Sequence, residues 1–170
     1  ILGGSFDPPH KSHVEISKIA IRKAELKKLF WIITKQNPFK KKTFFSLKQR
    51  INRSKKILKN VKKTQVLYLD NIIQSSRSID AIKYILKKKK NSNLYFIIGS
   101  DILIELHKWK SWKRIVKLTK LIVFSRKGYD RKSRESIVAK YLNKNKITFI
   151  KNKPIHVSSN ILKKNLKANH

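Results

Sequence analysis

Two histidines three residues apart, His10 and His13, sit in the segment GGSFDPPHKSHVEI, which runs from Gly3 to Ile16. The whole chain holds only four Gly, four Pro and five His, and this stretch takes two of each. Imidazoles at i and i+3 on a first helical turn can point toward one bound group. The first N–H groups of a helix lack intrahelical partners and attract anions. Two imidazole donors over such a helix start make a phosphate site. A bare H-x-x-H pair also occurs as a metal pair. Zinc needs further ligands, however, and only His107, His156, His170 and a few carboxylates are on offer. The surrounding G-x-F-D-P-x-H frame argues against a chance pairing.

These side chains need elements to hold them. The opening ILGG is expected to end a first strand, with Gly3 and Gly4 just after it, where the backbone turns and approaches a ligand. Pro8 and Pro9 stiffen the loop and delay the helix until His10, so it starts near Lys11 or Ser12. LFWIIT (29–34), QVLYLD (65–70), LYFIIGS (94–100) and LIVFS (121–125) are short apolar runs of buried parallel strands, with ITFI (147–150) a weaker fifth. Helical faces fall between them: Ile16, Ile19, Ala20 and Ala24; then Leu47, Ile51 and Leu58; then Ile79, Ile82 and Leu86, following Ser78 as N-cap. Strand–helix alternation predicts an α/β fold, a doubly wound, mostly parallel sheet. Ligands of such sheets bind just beyond the carboxyl ends of strands.

The 170 residues show no repeat or linker and are expected to form one domain, 1–170, with a few residues missing ahead of Ile1. Cysteine is absent, which excludes disulfides and thiolate metal sites. No apolar run approaches the ~18 residues of a membrane span, and no signal peptide is visible, so the cytoplasm is the default. The 43 Lys and Arg against 9 Asp and Glu, a formal +34, point toward polyanions. The abundance of Lys, Asn and Ile also fits an AT-rich coding bias acting on tolerant surface positions. Non-specific polyanion binding at low salt is expected on either account.

GGSFDPPHKSH resembles the signature of the adenylyl- and cytidylyltransferases that carry an H-x-G-H motif. More closely, it resembles the bacterial nicotinate-nucleotide adenylyltransferases. The likeness extends to TKQNPFK (34–40), SSRSIDAI (75–82), IIGSDILIELHKWKSWKRI (97–115) and VSSNILK (157–163). Ser12 stands where that motif has glycine, Asn160 where the last motif has threonine, and Lys163 where it has arginine. Lys163 keeps the charge but lacks the bidentate fork. Ser78 replaces a threonine and keeps the hydroxyl.

The resemblance implies a Rossmann-like nucleotidyltransferase fold and adenylyl transfer from ATP to nicotinate mononucleotide. Deamido-NAD and pyrophosphate would be the products, and Mg²⁺ would be bound through the ATP phosphates. His10, His13 and Lys163 are the expected catalytic residues. Gly4, Ser5, Phe6, Gly99, Asp101, Ser158 and Ser159 would join them in binding ATP, and Asn37, Lys40, Ser78 and Trp109 would meet the mononucleotide. Simpler roles stand beside several of these: Lys40 in a solvated loop, and Ser158 and Asp101 as helix caps. Trp109 lies in the polar HKWKSW loop, where stacking on a pyridine ring is a natural use, whereas Trp31 and Trp112 are expected in the core. The alternatives are a related nucleotidyltransferase with another phosphate acceptor, or a basic nucleic-acid-binding protein on the same fold. Oligomeric state is not legible.

Overall fold

The computed structural model describes residues 1–35 and 43–152. It contains six strands: β1 Leu2–Gly4, β2 Leu29–Ile33, β3 Thr64–Leu67, β4 Tyr95–Gly99, β5 Lys120–Phe124 and β6 Ile147–Ile150. Eight α-helices accompany them: α1 Lys11–Lys23, α2 Leu47–Ile57, α3 Asp70–Ile73, α4 Ser78–Lys88, α5 Ser100–Glu105, α6 Trp112–Leu118, α7 Asp130–Arg134 and α8 Ile137–Tyr141. Strand order is β3-β2-β1-β4-β5-β6, and the described pairings are parallel. No described helix is long and apolar enough to cross a membrane. Two compact units divide the described residues: 2–76, and Ile1 with 77–152.

In the first unit, β1 pairs with β2 (Leu2 opposite Trp31, Gly4 opposite Ile33), and β2 pairs with β3. All five β2 residues are buried, as a continuous apolar run covered on both faces requires. Trp31 is fully buried, as expected. Gly3 and Gly4 lie within β1 rather than after it, because the parallel ladder runs through both. The third strand ends at Leu67, short of the expected run, since Asp70 already opens α3.

Two helix faces differ from expectation. On α1 the buried residues include Val14, Ser17 and Ala20, while Ile16 and Ile19 are half-exposed and Ala24 follows the helix. Ser17 belongs inside because its hydroxyl accepts the Trp31 indole N–H at 2.7 Å and donates to the His13 carbonyl at 2.8 Å. On α2 the buried helical residues are Arg50 and Ser54, while Leu47 and Ile51 are half-buried. A Ser46–Gln49 capping box starts this helix: Gln49 N–H donates to Ser46 Oγ, and Ser46 N–H to Gln49 Oε1.

In the second unit, β4 pairs with β5 and β5 with β6, while Ile1 exchanges backbone hydrogen bonds with Tyr95 and Ile97. The inner face of α4 carries Ile79, Ile82 and Ile85. Its N-cap is Arg77, so Ser78 is the first helical residue and not the cap. Trp112 was expected in the core but is only half-buried. It opens α6 and packs edge-on against the exposed Tyr141, with Lys113 lying over both rings.

Candidate active site

In the first unit, Ser5 to Pro9 follow β1 directly, the place where a ligand loop was expected. Phe6 adopts left-handed backbone geometry with φ 47°. A non-glycine residue there costs about 1–2 kcal/mol. The Phe6 ring is 2% exposed and stacks on Trp31 at 4.5 Å and 13°, which holds the backbone in place. It also passes close to Gly4, where an added Cβ would meet it at 3.5 Å, an ordinary contact. The Asp7 carboxylate, 2% exposed, accepts the Phe44 and Phe45 N–H groups at 2.8 and 2.9 Å.

His10 is the N-cap of α1, and His13 is its third residue. The His10 backbone N–H donates to His13 Nδ1 at 3.3 Å. With Nδ1 accepting, the neutral His13 ring carries its hydrogen on Nε2. The two imidazole centroids are 3.9 Å apart, and Phe6 lies 5.0 Å from His13. The structure therefore gathers Gly4, Phe6, His10 and His13 around the first turn of α1, the end of the helix whose dipole favours anions.

Sequence reasoning missed Arg50. Its guanidinium is buried on α2 and donates to four backbone carbonyls. These are Ser5 at 2.7 Å, Thr34 and Lys35 at 2.8 Å each, and Phe45 at 3.2 Å. Burial lowers its basicity, and the charges of Asp7 and Asp70 oppose that. Burial likewise raises the Asp70 carboxyl, against the Lys35 N–H it accepts at 2.8 Å and the charge of Arg50. One signal was available: an arginine four residues after a capping serine, on the face shared with Ser54 and Leu58, in a chain where lysine dominates.

In the second unit, Gly99 ends β4 and Asp101 is the second residue of α5. A side chain at position 99 would overlap Asp101 Oδ1, so glycine is what lets this carboxylate fold back over the strand end. Asp101 forms an ion pair with Arg126 and does not act as the N-cap. The Arg126 N–H donates to Ser100 Oγ at 2.9 Å and to Asp130 Oδ1 at 3.1 Å, while Ser125 Oγ donates to Asp130 Oδ2 at 2.6 Å. The Ser125 hydrogen bond, foremost, holds the Asp130 carboxyl below the usual range.

Trp109 follows a 3₁₀ turn, Leu106–Lys108, and its backbone N–H donates to Leu106 at 3.0 Å. Its half-exposed ring packs edge-on to Phe96 at 6.4 Å. Ser111, at φ 62°, closes this loop before α6. His107 spends Nδ1 on the Ile104 carbonyl at 2.8 Å. Ser78 is half-buried at the start of α4. Asn37, Lys40, Ser158, Ser159, Asn160 and Lys163 lie outside the described residues.

The cytidylyltransferase-like family model matches residues 1–165. A protein of Pelagibacter ubique (strain HTCC1062), named a probable nicotinate-nucleotide adenylyltransferase, is 46% identical over 96% of this chain and 91% of its own length. One of the same name from Endomicrobium trichonymphae is 31% identical over 100% of this chain and 86% of its own. Among solved structures, Plasmodium falciparum nicotinic acid mononucleotide adenylyltransferase complexed with NaAD superposes with a TM-score of 0.77. It is 19% identical and covers 96% of this chain and 80% of its own, a likeness that speaks to the fold and bears out the Rossmann-like expectation. By the family match and the identity of these relatives, the chain belongs to the cytidylyltransferase-like family and, within it, to the nicotinate-nucleotide adenylyltransferases.

Proposed function

We propose that this protein transfers the adenylyl group of ATP to nicotinate mononucleotide, forming deamido-NAD and pyrophosphate. The observation that carries the reading is His13 on the first turn of α1, its ring beside His10 and its Nδ1 held by the His10 N–H, in a chain with these relatives. A phosphate oxygen of the mononucleotide attacks the α-phosphorus, and the bond to the bridging oxygen breaks. Pyrophosphate leaves with that electron pair. The nucleophile is already an anion, so no general base is required. Positioning and charge stabilisation carry the rate.

In this reading His13 meets the transferring phosphate, with His10 and the Phe6 N–H beside it along the phosphate chain. Gly4 and Ser5 line that path. Ser158, Ser159 and Lys163 take the β- and γ-phosphates, and magnesium enters as part of the substrate, bound to ATP. Gly99 and Asp101 border the nucleotide, with Asp101 near a ribose hydroxyl. Asn37, Lys40, Ser78 and Trp109 serve the mononucleotide, Trp109 by stacking on its ring. This chemistry, on diffusible substrates, suits the cytoplasm.

The test is pyrophosphate release from ATP with each acceptor. Backbone donors of the 107–110 loop other than the Trp109 N–H, which the Leu106 carbonyl takes, and the Ser78 hydroxyl favour a carboxylate, whereas an amide would set an NH₂ against one of them. A buried unpaired donor costs about 1–3 kcal/mol, which predicts at least about a tenfold kcat/KM preference for the acid over nicotinamide mononucleotide. Turnover with a different phosphate acceptor, and none with nicotinate mononucleotide, would overturn the assignment. Equal use of the acid and the amide would show the ring pocket to be wrong while leaving adenylyl transfer standing.

A further inference from the structure

Arg50 is 1% exposed and spends four of its N–H groups on backbone carbonyls from three separate segments. Ser5 lies in the loop after β1, Thr34 and Lys35 follow β2, and Phe45 precedes α2. Nη1 alone bridges Ser5 and Thr34. The neighbouring carboxylates reinforce the arrangement through backbone N–H groups: Asp7 holds Phe44 and Phe45, and Asp70 holds Lys35. Arg50 therefore sits where the ends of two adjacent strands and the start of α2 are tied together.

We propose that Arg50 is a positioning residue for adenylyl transfer, acting through the peptide group between Ser5 and Phe6. This peptide is trans, so its carbonyl and N–H point in opposite directions. By gripping the Ser5 oxygen, Arg50 fixes the heading of the Phe6 N–H on the other side. The Phe6 ring, stacked on Trp31, secures the same residue from its side chain. One peptide is held at its carbonyl by a cation and at the following side chain by an aromatic contact. A charged donor on the carbonyl also polarises the peptide and strengthens its N–H as a donor. Lysine cannot take over, because a single ammonium lacks the planar fork that reaches several carbonyls at once. The proposal rests on the reading that the Phe6 N–H meets an ATP phosphate.

The test compares Arg50→Lys and Arg50→Met with Leu58→Ala, a core truncation near the end of the same helix that leaves the Arg50 hydrogen bonds in place. Both Arg50 variants are expected to lose about 10- to 100-fold in kcat while the KM for nicotinate mononucleotide changes little. Leu58→Ala is expected to lower Tm at least as much and keep kcat near wild type. Wild-type kcat in folded Arg50→Lys, or an equal loss of kcat in Leu58→Ala, overturns the proposal. A second measurement stands even if the Arg50 variants fail to fold. In ¹⁵N-labelled wild-type protein titrated with a non-hydrolysable ATP analogue, the Phe6 amide resonance should move on binding. An unmoved Phe6 amide overturns the proposal. If wild-type protein shows no turnover with nicotinate mononucleotide, the substrate reading fails, and an unmoved Phe6 amide with the analogue still overturns the role of Arg50 separately.

Discussion

His13 accepts a hydrogen bond on Nδ1 from the His10 backbone, so the hydrogen of its neutral ring sits on Nε2. In the proposed reading the two nitrogens divide the work of holding the ring and meeting a phosphate. His13→Ala removes both and is expected to lower kcat by about 10²-fold or more, the loss typical of one transition-state donor, with the fold kept. The amide isosteres separate the two roles. Glutamine can place an N–H near the position of Nε2, whereas asparagine reproduces only the Nδ1 side. His13→Gln should therefore keep more kcat than His13→Asn, measured under saturating ATP. Unchanged turnover in the alanine variant would remove His13 from the phosphate site. The histidine pair itself was legible in the sequence because scarce residue types crowd one short segment. Its orientation was not, since that depends on a main-chain N–H three residues away.

At the level of elements, strands were more legible than helix faces: Ile79 and Ile82 do line the inner face of α4, but the faces of α1 and α2 were misread. An apolar run such as LFWII reports its own burial, and it became a wholly buried strand. Helix faces were inferred from Ile, Leu and Ala, but the inner faces of α1 and α2 include Ser17, Arg50 and Ser54. Ser17 and Arg50 are buried because backbone groups or an indole satisfy them, a pairing that periodicity cannot register. The helices α7 and α8, five residues each, are too short to show a period at all. The turn after β5 depends on one such hidden pairing, the Asp130 carboxylate with Ser125 and the Arg126 N–H. Because folding holds this carboxyl below its usual range, its contribution is complete above the ordinary Asp value of about 3.9 and is lost as pH falls through the depressed folded value. Asp130→Asn should lower Tm at neutral pH, and the gap from wild type should close on acidification below about pH 4. A gap that stays constant through that range would show that the charge of Asp130 does not matter there.

For the molecule as a whole, the nine carboxylates matter by where they are spent. Asp7, Asp70 and Asp130 accept backbone N–H groups, and Asp101 pairs with Arg126. Glu15, Glu105 and Glu135 each pair with a basic residue three or four positions away. Little negative charge is left to oppose the lysines. Many of these crowd the last turns of helices, as in α1, α2 and α4, where the helix dipole favours them. Such placement stabilises helices without requiring a polyanion partner, yet it leaves a field that any polyanion will feel. Duplex DNA should therefore bind at low salt. Six or more phosphate contacts would weaken that binding by about 10³-fold or more between about 50 and 200 mM salt, and scrambled duplexes should behave alike. Anionic substrates feel the same field at closer range, so kcat/KM for ATP should also fall with salt, but more gently, since a buried site is screened less than an open surface. Titrating one protein sample with salt and reading both quantities separates the two cases. Tight, sequence-selective DNA binding that survives about 150 mM salt would mean the charge is organised for nucleic acid, and would favour a nucleic-acid role over a surface filled by lysine without selection for a partner.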